Sequence, residues 1–292
     1  MKRKMKKILT ILPLSLILII ISLSLLSCGD NNEQSDNKIT VAVTIAPVKT
    51  FVEAVGGERV NVVSMVPPGA SPETYDPTPK EMTSLAKAKL YFSISVPAEQ
   101  NIIPSLGDNT AEVKLYEKIR EEYPDLMLGD ERDPHIWLSV SRVKVMINEI
   151  CTALSAQDSD GAEYYRKNAD SYIKVLDDAD ATVRSLLSDV KNKNFLVYHP
   201  AFGYFAAEYG LNMISLEEEG KEADAKRRIQ VINEAKELNI KTIFYQSETP
   251  KKQAQSFAED IGGTAVMLEP LSADYTENLI SMARAIAESA KQ

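Results

Sequence analysis

The chain is short of the residues that most often carry chemistry. Its 292 residues include two histidines, two cysteines and one tryptophan. No HExxH pattern occurs, so the helical signature of a zinc hydrolase is absent. Basic residues are outnumbered, 33 against 42 acidic, for a formal net charge of −9. That balance disfavours nucleic acid as a partner and suits the attraction of cations. The scarcity of histidine makes the two that exist informative. His135 stands beside a proline in DPHIWL, and His199 beside another in NFLVYHPAFGYFAAEYG. In the second stretch a short apolar run, Phe195 to Tyr198, stops at His199-Pro200, and a segment of helical spacing follows. An imidazole on a loop leaving a strand is well placed to bind, and the pair is read as ligands of one metal ion.

The N-terminus reads as a targeting segment and not as part of the fold. Lys2, Arg3, Lys4, Lys6 and Lys7 form a basic region, and Ile8 to Leu26 is almost wholly apolar. The run ends in Leu25-Leu26-Ser27-Cys28, the pattern of a secretory signal that resembles a bacterial lipobox. An uncleaved anchor helix is the alternative. The lipobox reading makes residues 1–27 a signal peptide, Cys28 the lipidated N-terminus and 28–37 a polar tether. Cleavage would remove five basic and no acidic residues, taking the formal charge from −9 to −14. Cys151 is then without a partner for a disulfide and is expected to be a small buried hydrophobe.

From residue 38 the pattern alternates. Strand character over Lys38 to Thr44, Arg59 to Val66 and Leu90 to Ser95 is interleaved with helical spacing over Pro47 to Val55 and Pro79 to Ala88. Asn101 to Met127 is mixed, and Val143 to Leu154 reads as an amphipathic helix. Between Gly161 and Val190 apolar positions recur at helical spacing without an internal Gly or Pro, predicting one helix of about 45 Å. Four further strand–helix pairs close the chain. The fold class expected is α/β: two lobes, each a parallel sheet flanked by helices, joined by one long rigid helix. The lobes are placed at 38–155 and 194–292, with the linking helix within 156–193.

In parallel sheets, ligands bind where strands end and helices begin. Besides the histidines, Glu73 in PPGASPETYDPTP follows the second strand, and Glu269 in MLEPLSADY follows the last. Two candidates then come from each lobe. Either carboxylate alone would be an ordinary solvated group in a chain this acidic. The run Glu217-Glu218-Glu219 is read as a solvated loop, and Lys226-Arg227-Arg228 as a turn of a solvated helix.

The motifs PPGASPETYDPTP, DPHIWLS, VYHPAFGYFAAEYG and LEPLSADYTENL, taken together, resemble those of the metal-binding substrate-binding lipoproteins of ABC transporters. The resemblance runs over essentially the whole mature chain. It implies two α/β lobes on a rigid helix and one metal ligand per motif, falling on Glu73, His135, His199 and Glu269. It also implies an extracytoplasmic, membrane-anchored protein that passes zinc, manganese or iron to a permease. The protein is expected to act as a monomer. In that family the first motif usually carries histidine where this chain has Glu73, and the fourth aspartate where it has Glu269. Asp274 is a possible substitute outside the motif position, and the histidine-rich acidic loop of many zinc-specific members is missing.

Two imidazoles and two carboxylates make a harder, more oxygen-rich set than three histidines. That moves the expected ion towards manganese or iron, with zinc still accommodated. Two other readings are kept. A surface metallohydrolase would use a His/carboxylate-bound zinc with a carboxylate as base. An adhesin or scaffold would only need exposure at the cell surface.

Overall fold

A computed structural model describes residues 38–218 and 221–291; the signal segment and Cys28 lie outside them. Runs of β-branched and aromatic residues form the strands, and each helix that follows lays an apolar stripe back onto them. The first lobe runs β1 (Ile39–Val43), α1 (Ala46–Gly56), β2 (Val60–Ser64), α2 (Pro79–Leu85), β3 (Leu90–Ser93), α3 (Glu99–Ile102), β4 (Ala111–Lys114) and α4 (Leu115–Glu122). Its four strands are all parallel, in the order β2-β1-β3-β4. A two-stranded antiparallel ribbon, β5 (Met127–Leu128) and β6 (Glu131–Arg132), leads to a 3-10 turn over Ile136–Leu138 and then to α5 (Val140–Gln157). α5 begins three residues before the sequence pattern indicates, because the Ser139 hydroxyl accepts from Arg142 N and caps it.

The long helix is α6 (Ala162–Ser188), 27 residues or about 40 Å. Tyr165, Ala169, Leu176, Ala179, Val183 and Leu187 form its buried stripe, and it packs on α5 and on the last helix of the chain. The second lobe runs β7 (Asn194–Val197), α7 (Gly203–Tyr209), β8 (Asn212–Ser215), α8 (Ala225–Glu237), β9 (Thr242–Tyr245), α9 (Lys251–Asp260), β10 (Thr264–Met267) and α10 (Tyr275–Ser289). Its sheet is again all parallel, in the order β10-β9-β7-β8. Among the described residues no helix is long and apolar enough to cross a membrane.

One continuous core joins the first lobe, α6 and part of the second. Cys151 lies in it, free and buried. The lobes are stitched by buried polar contacts that remove apolar and polar groups from water together. Trp137 Nε1 donates to Pro270 O at 2.9 Å, and Tyr275 Oη donates to Trp137 O at 2.7 Å. Leu126 N donates to Tyr204 Oη at 3.1 Å. The basic cluster on α8 is not simply solvated. Arg227 Nη2 donates to Ser215 O at 2.6 Å, and Arg228 pairs with Asp260 and lies over the Phe257 ring.

Candidate metal centre

Each sheet ends in loops that converge on one point. Glu73 sits in the turn after β2. Its own N–H donates to Ser71 Oγ at 3.2 Å, and Ala98 N donates to Pro72 O at 3.0 Å, tying this loop to the one after β3. His135 ends the ribbon segment and opens the 3-10 turn. Asp133 Oδ1 accepts from its backbone N–H at 2.9 Å and lies 2.8 Å from Nδ1. His199 follows β7, and its Nδ1 lies 2.8 Å from Glu217 Oε2.

Both rings turn their other nitrogen to the same atom. His199 Nε2 is 3.0 Å and His135 Nε2 is 3.5 Å from Glu73 Oε1. The ring centroids are 5.4 Å apart and nearly perpendicular. One donor atom from each of Glu73, His135 and His199 lies within 4.8 Å of the others. His135 and Asp133 are buried and His199 nearly so, while Glu73 keeps one face on a cavity of about 610 Å³ whose lining includes Glu99 and Arg132.

The second-row carboxylates decide the chemistry. With Asp133 and Glu217 accepting from Nδ1–H, each Nε2 presents its lone pair to the centre. A lone pair facing a carboxylate oxygen is repulsive unless a positive charge lies between. A proton on His199 Nε2 supplies it. Burial opposes that charge, but the hydrogen bonds to Glu217 and Glu73 outweigh burial and push the His199 pKa up to about 9. Burial likewise works against ionised Glu73, yet its bond to His199 and the two imidazoles hold its carboxyl below the usual range. Three carboxylates around two imidazoles can neutralise a dication in a buried place, where an unpaired ion would be costly.

Of the four residues singled out in the sequence, the structure brings together Glu73, His135 and His199. Glu269 stands apart from that cluster. It follows β10, its Oε2 accepts from Ser247 Oγ at 3.1 Å, and it lines a separate cavity of about 240 Å³ with Pro67, Pro68 and Glu248. Burial and neighbouring Glu248 raise its carboxyl pKa against the Ser247 hydrogen bond. Asp274 is exposed beside the start of α10.

Two functional residues escaped the sequence reading. Glu217, expected from the sequence to lie in a solvated loop, has a side chain only 16% exposed and holds His199. The signal lay in register: parallel pairing of Val197 with Ser215 carries Glu217 level with His199. Asp133 is the first residue of the quoted DPHIWL motif, and an Asp two residues before a ligand can accept from that residue's N–H in a tight turn.

The arrangement has parallels among known proteins. The family model described as the periplasmic zinc-uptake complex component A, ZnuA, matches residues 41–290. The high-affinity zinc uptake system protein ZnuA of Bacillus subtilis is 28% identical over 268 residues, covering 84% of each chain. The zinc-binding lipoprotein AdcA of Streptococcus pneumoniae is also 28% identical over 268 residues, which span 86% of this chain and 53% of AdcA. A crystal structure of ZnuA superposes with a TM-score of 0.82 at 31% identity, covering 87% of this chain and 99% of that one. The periplasmic zinc-binding protein TroA of Treponema pallidum shares the fold, with a TM-score of 0.80 at 19% identity.

Proposed function

The chain belongs to the family of periplasmic zinc-uptake complex component A proteins, and from that premise we propose that it captures one zinc ion on Glu73, His135 and His199 and passes it to the permease of an ABC importer. It is a solute-binding protein and not an enzyme. The observation that carries the ligand assignment is the convergence of three donor atoms within 4.8 Å, two of them imidazoles backed by carboxylates. Neutral imidazole with its far N–H on a carboxylate is the usual form of a zinc-binding histidine.

Zinc prefers four donors in a structural site. Glu269 is the protein's own fourth donor in this reading. It stands outside the three-residue cluster, its side chain taking one hydrogen bond, from Ser247, among the described residues, and would have to leave that bond and move to reach the ion. Glu73, supplying oxygen where the family's first motif usually has histidine, lowers the nitrogen content of the site and leaves manganese and iron as competitors. The core that runs through both lobes and α6 opposes wide hinge opening, so loading is expected to proceed by local side-chain and loop shifts. Cys28, as a lipidated N-terminus, would hold the protein at the membrane beside its permease, working as a monomer; the relative AdcA is described as a zinc-binding lipoprotein.

Competitive titration of the metal-stripped protein with zinc, manganese and iron, followed by melting, tests the cargo. Zinc is expected to bind most tightly and raise Tm most, since a ligand of the folded state alone stabilises it. A larger shift with manganese or iron would overturn zinc as the cargo.

A further inference from the structure

No hydrogen bond joins His135 to His199 among the described residues; the rings come from different lobes and both face Glu73 Oε1. α7, the helix after His199, meets the segment around His135 at both ends, by close packing at its start and by hydrogen bonds at its end. At its start Gly203 lies against Asp133, the carboxylate that holds His135: a Cβ there would stand 2.6 Å from Asp133 Oδ2. At its end Glu208 reaches across to the first turn of α5, the helix after His135. Glu208 Oε1 accepts from Ser141 N at 3.0 Å and from Ser141 Oγ at 2.5 Å, and Oε2 accepts from Ser139 Oγ. Arg184 on α6 adds a cation 3.7 Å from Oε1 and donates to the Glu208 carbonyl at 3.3 Å. The Glu208 side chain is 5% exposed, so these bonds are made out of reach of competing water.

We propose that Glu208 is a positioning residue for metal capture, locking the helix after His199 onto the helix after His135 and so setting the spacing of the two imidazoles. The inference rests on both histidines being ligands. An ion that meets donors already gathered does not pay for gathering them, and that saving appears as affinity. Ser139 and Ser141 lie four and six residues after His135, with only the 3-10 turn between, so a shift of the α5 start moves that imidazole directly. Without the carboxylate, Ser141 N and two hydroxyls lose their acceptor, and the end of α7 loses its hydrogen bonds to the start of α5, leaving the Arg142–Tyr204 stacking to hold the pair.

The test compares the metal-free full mature chain with Glu208→Ala and Glu208→Gln, using zinc itself as probe against a chromogenic chelator. Glu208→Ala is expected to weaken zinc binding about tenfold, the range seen when outer-shell partners are lost, and to speed zinc release. Glu208→Gln, which keeps acceptor oxygen, should recover part of both. Should the alanine variant not fold, Ser141→Ala carries the test with an expected loss of about threefold. Asp158→Asn is the control. Asp158 clasps Arg59, Tyr165 and Gly161 N away from the metal centre, so its loss should lower Tm and leave zinc affinity unchanged. His199→Ala separates the two ideas: wild-type zinc affinity there overturns the ligand assignment itself. If His199→Ala loses zinc while the Glu208 and Ser141 variants keep wild-type affinity and release, the positioning role is overturned. Equal weakening by Asp158→Asn and Glu208→Gln at equal loss of Tm also overturns it, since the effect would be general destabilisation.

Discussion

His199 and Glu217 are 18 positions apart in the chain and 2.8 Å apart in the fold. The parallel register of β7 and β8, which pairs Val197 with Ser215, produces that contact, and Glu217 N donates to Tyr198 O at 2.9 Å to extend it. A ligand candidate is thus oriented by a residue from the neighbouring strand's end, as Asp133 orients His135 from within its own turn.

Removing that support has a measurable cost. Glu217→Ala should lower zinc affinity by about 10- to 100-fold, with little change in fold, because His199 loses the partner that fixes its tautomer and ring angle. Chelator competition on the purified variant reads this directly. Affinity equal to wild type would mean that Glu217 only shields the ring.

The pH dependence follows from His199. Its pKa rises from 6.5 to about 9 in the metal-free fold, so the protonated ring stabilises that fold fully below 6.5, and this contribution is lost as pH rises through about 9. Zinc needs the same nitrogen bare. Binding between pH 6.5 and 9 should therefore release about one proton from His199, and affinity should climb about tenfold per pH unit over that window. Calorimetry in buffers of different ionisation enthalpy counts the proton. A release near zero at pH 7.5 contradicts the shifted histidine.

Glu73 is the position where metal preference is set. Glu73→His would replace a carboxylate oxygen with imidazole nitrogen and remove one negative charge. The ratio of zinc to manganese affinity should rise about tenfold, since manganese favours oxygen donors and zinc accepts either. Paired titrations of variant and wild type measure the ratio; an unchanged ratio would place Glu73 outside the coordination sphere.

Much of this was legible in the residues. The scarcity of histidine singled out His135 and His199, and strand ends beside prolines placed them on loops. The unbroken helical spacing after Gly161 located α6 to within two residues at each end. β4 and α4 were hidden in the stretch Asn101 to Met127 because β4 is a short sheet-edge strand that buries none of its four residues fully, so its pattern carries no burial signal. Glu217 and Glu208 were invisible for another reason. Each is one acid among many, and its importance comes from register or from a partner across the lobe boundary, which no local pattern encodes. Glu269 shows the converse: its motif position was clear, yet in the fold it is hydrogen-bonded to Ser247, outside the three-residue cluster.

The central claim is that one ion sits among Glu73, His135 and His199. Crystals of the zinc-loaded protein, measured on both sides of the zinc absorption edge, test it most directly. A single strong anomalous peak is expected, bonded to both Nε2 atoms and to a Glu73 oxygen, at zinc–ligand distances of about 2.0–2.2 Å. A peak elsewhere, or one that touches neither imidazole, would contradict it.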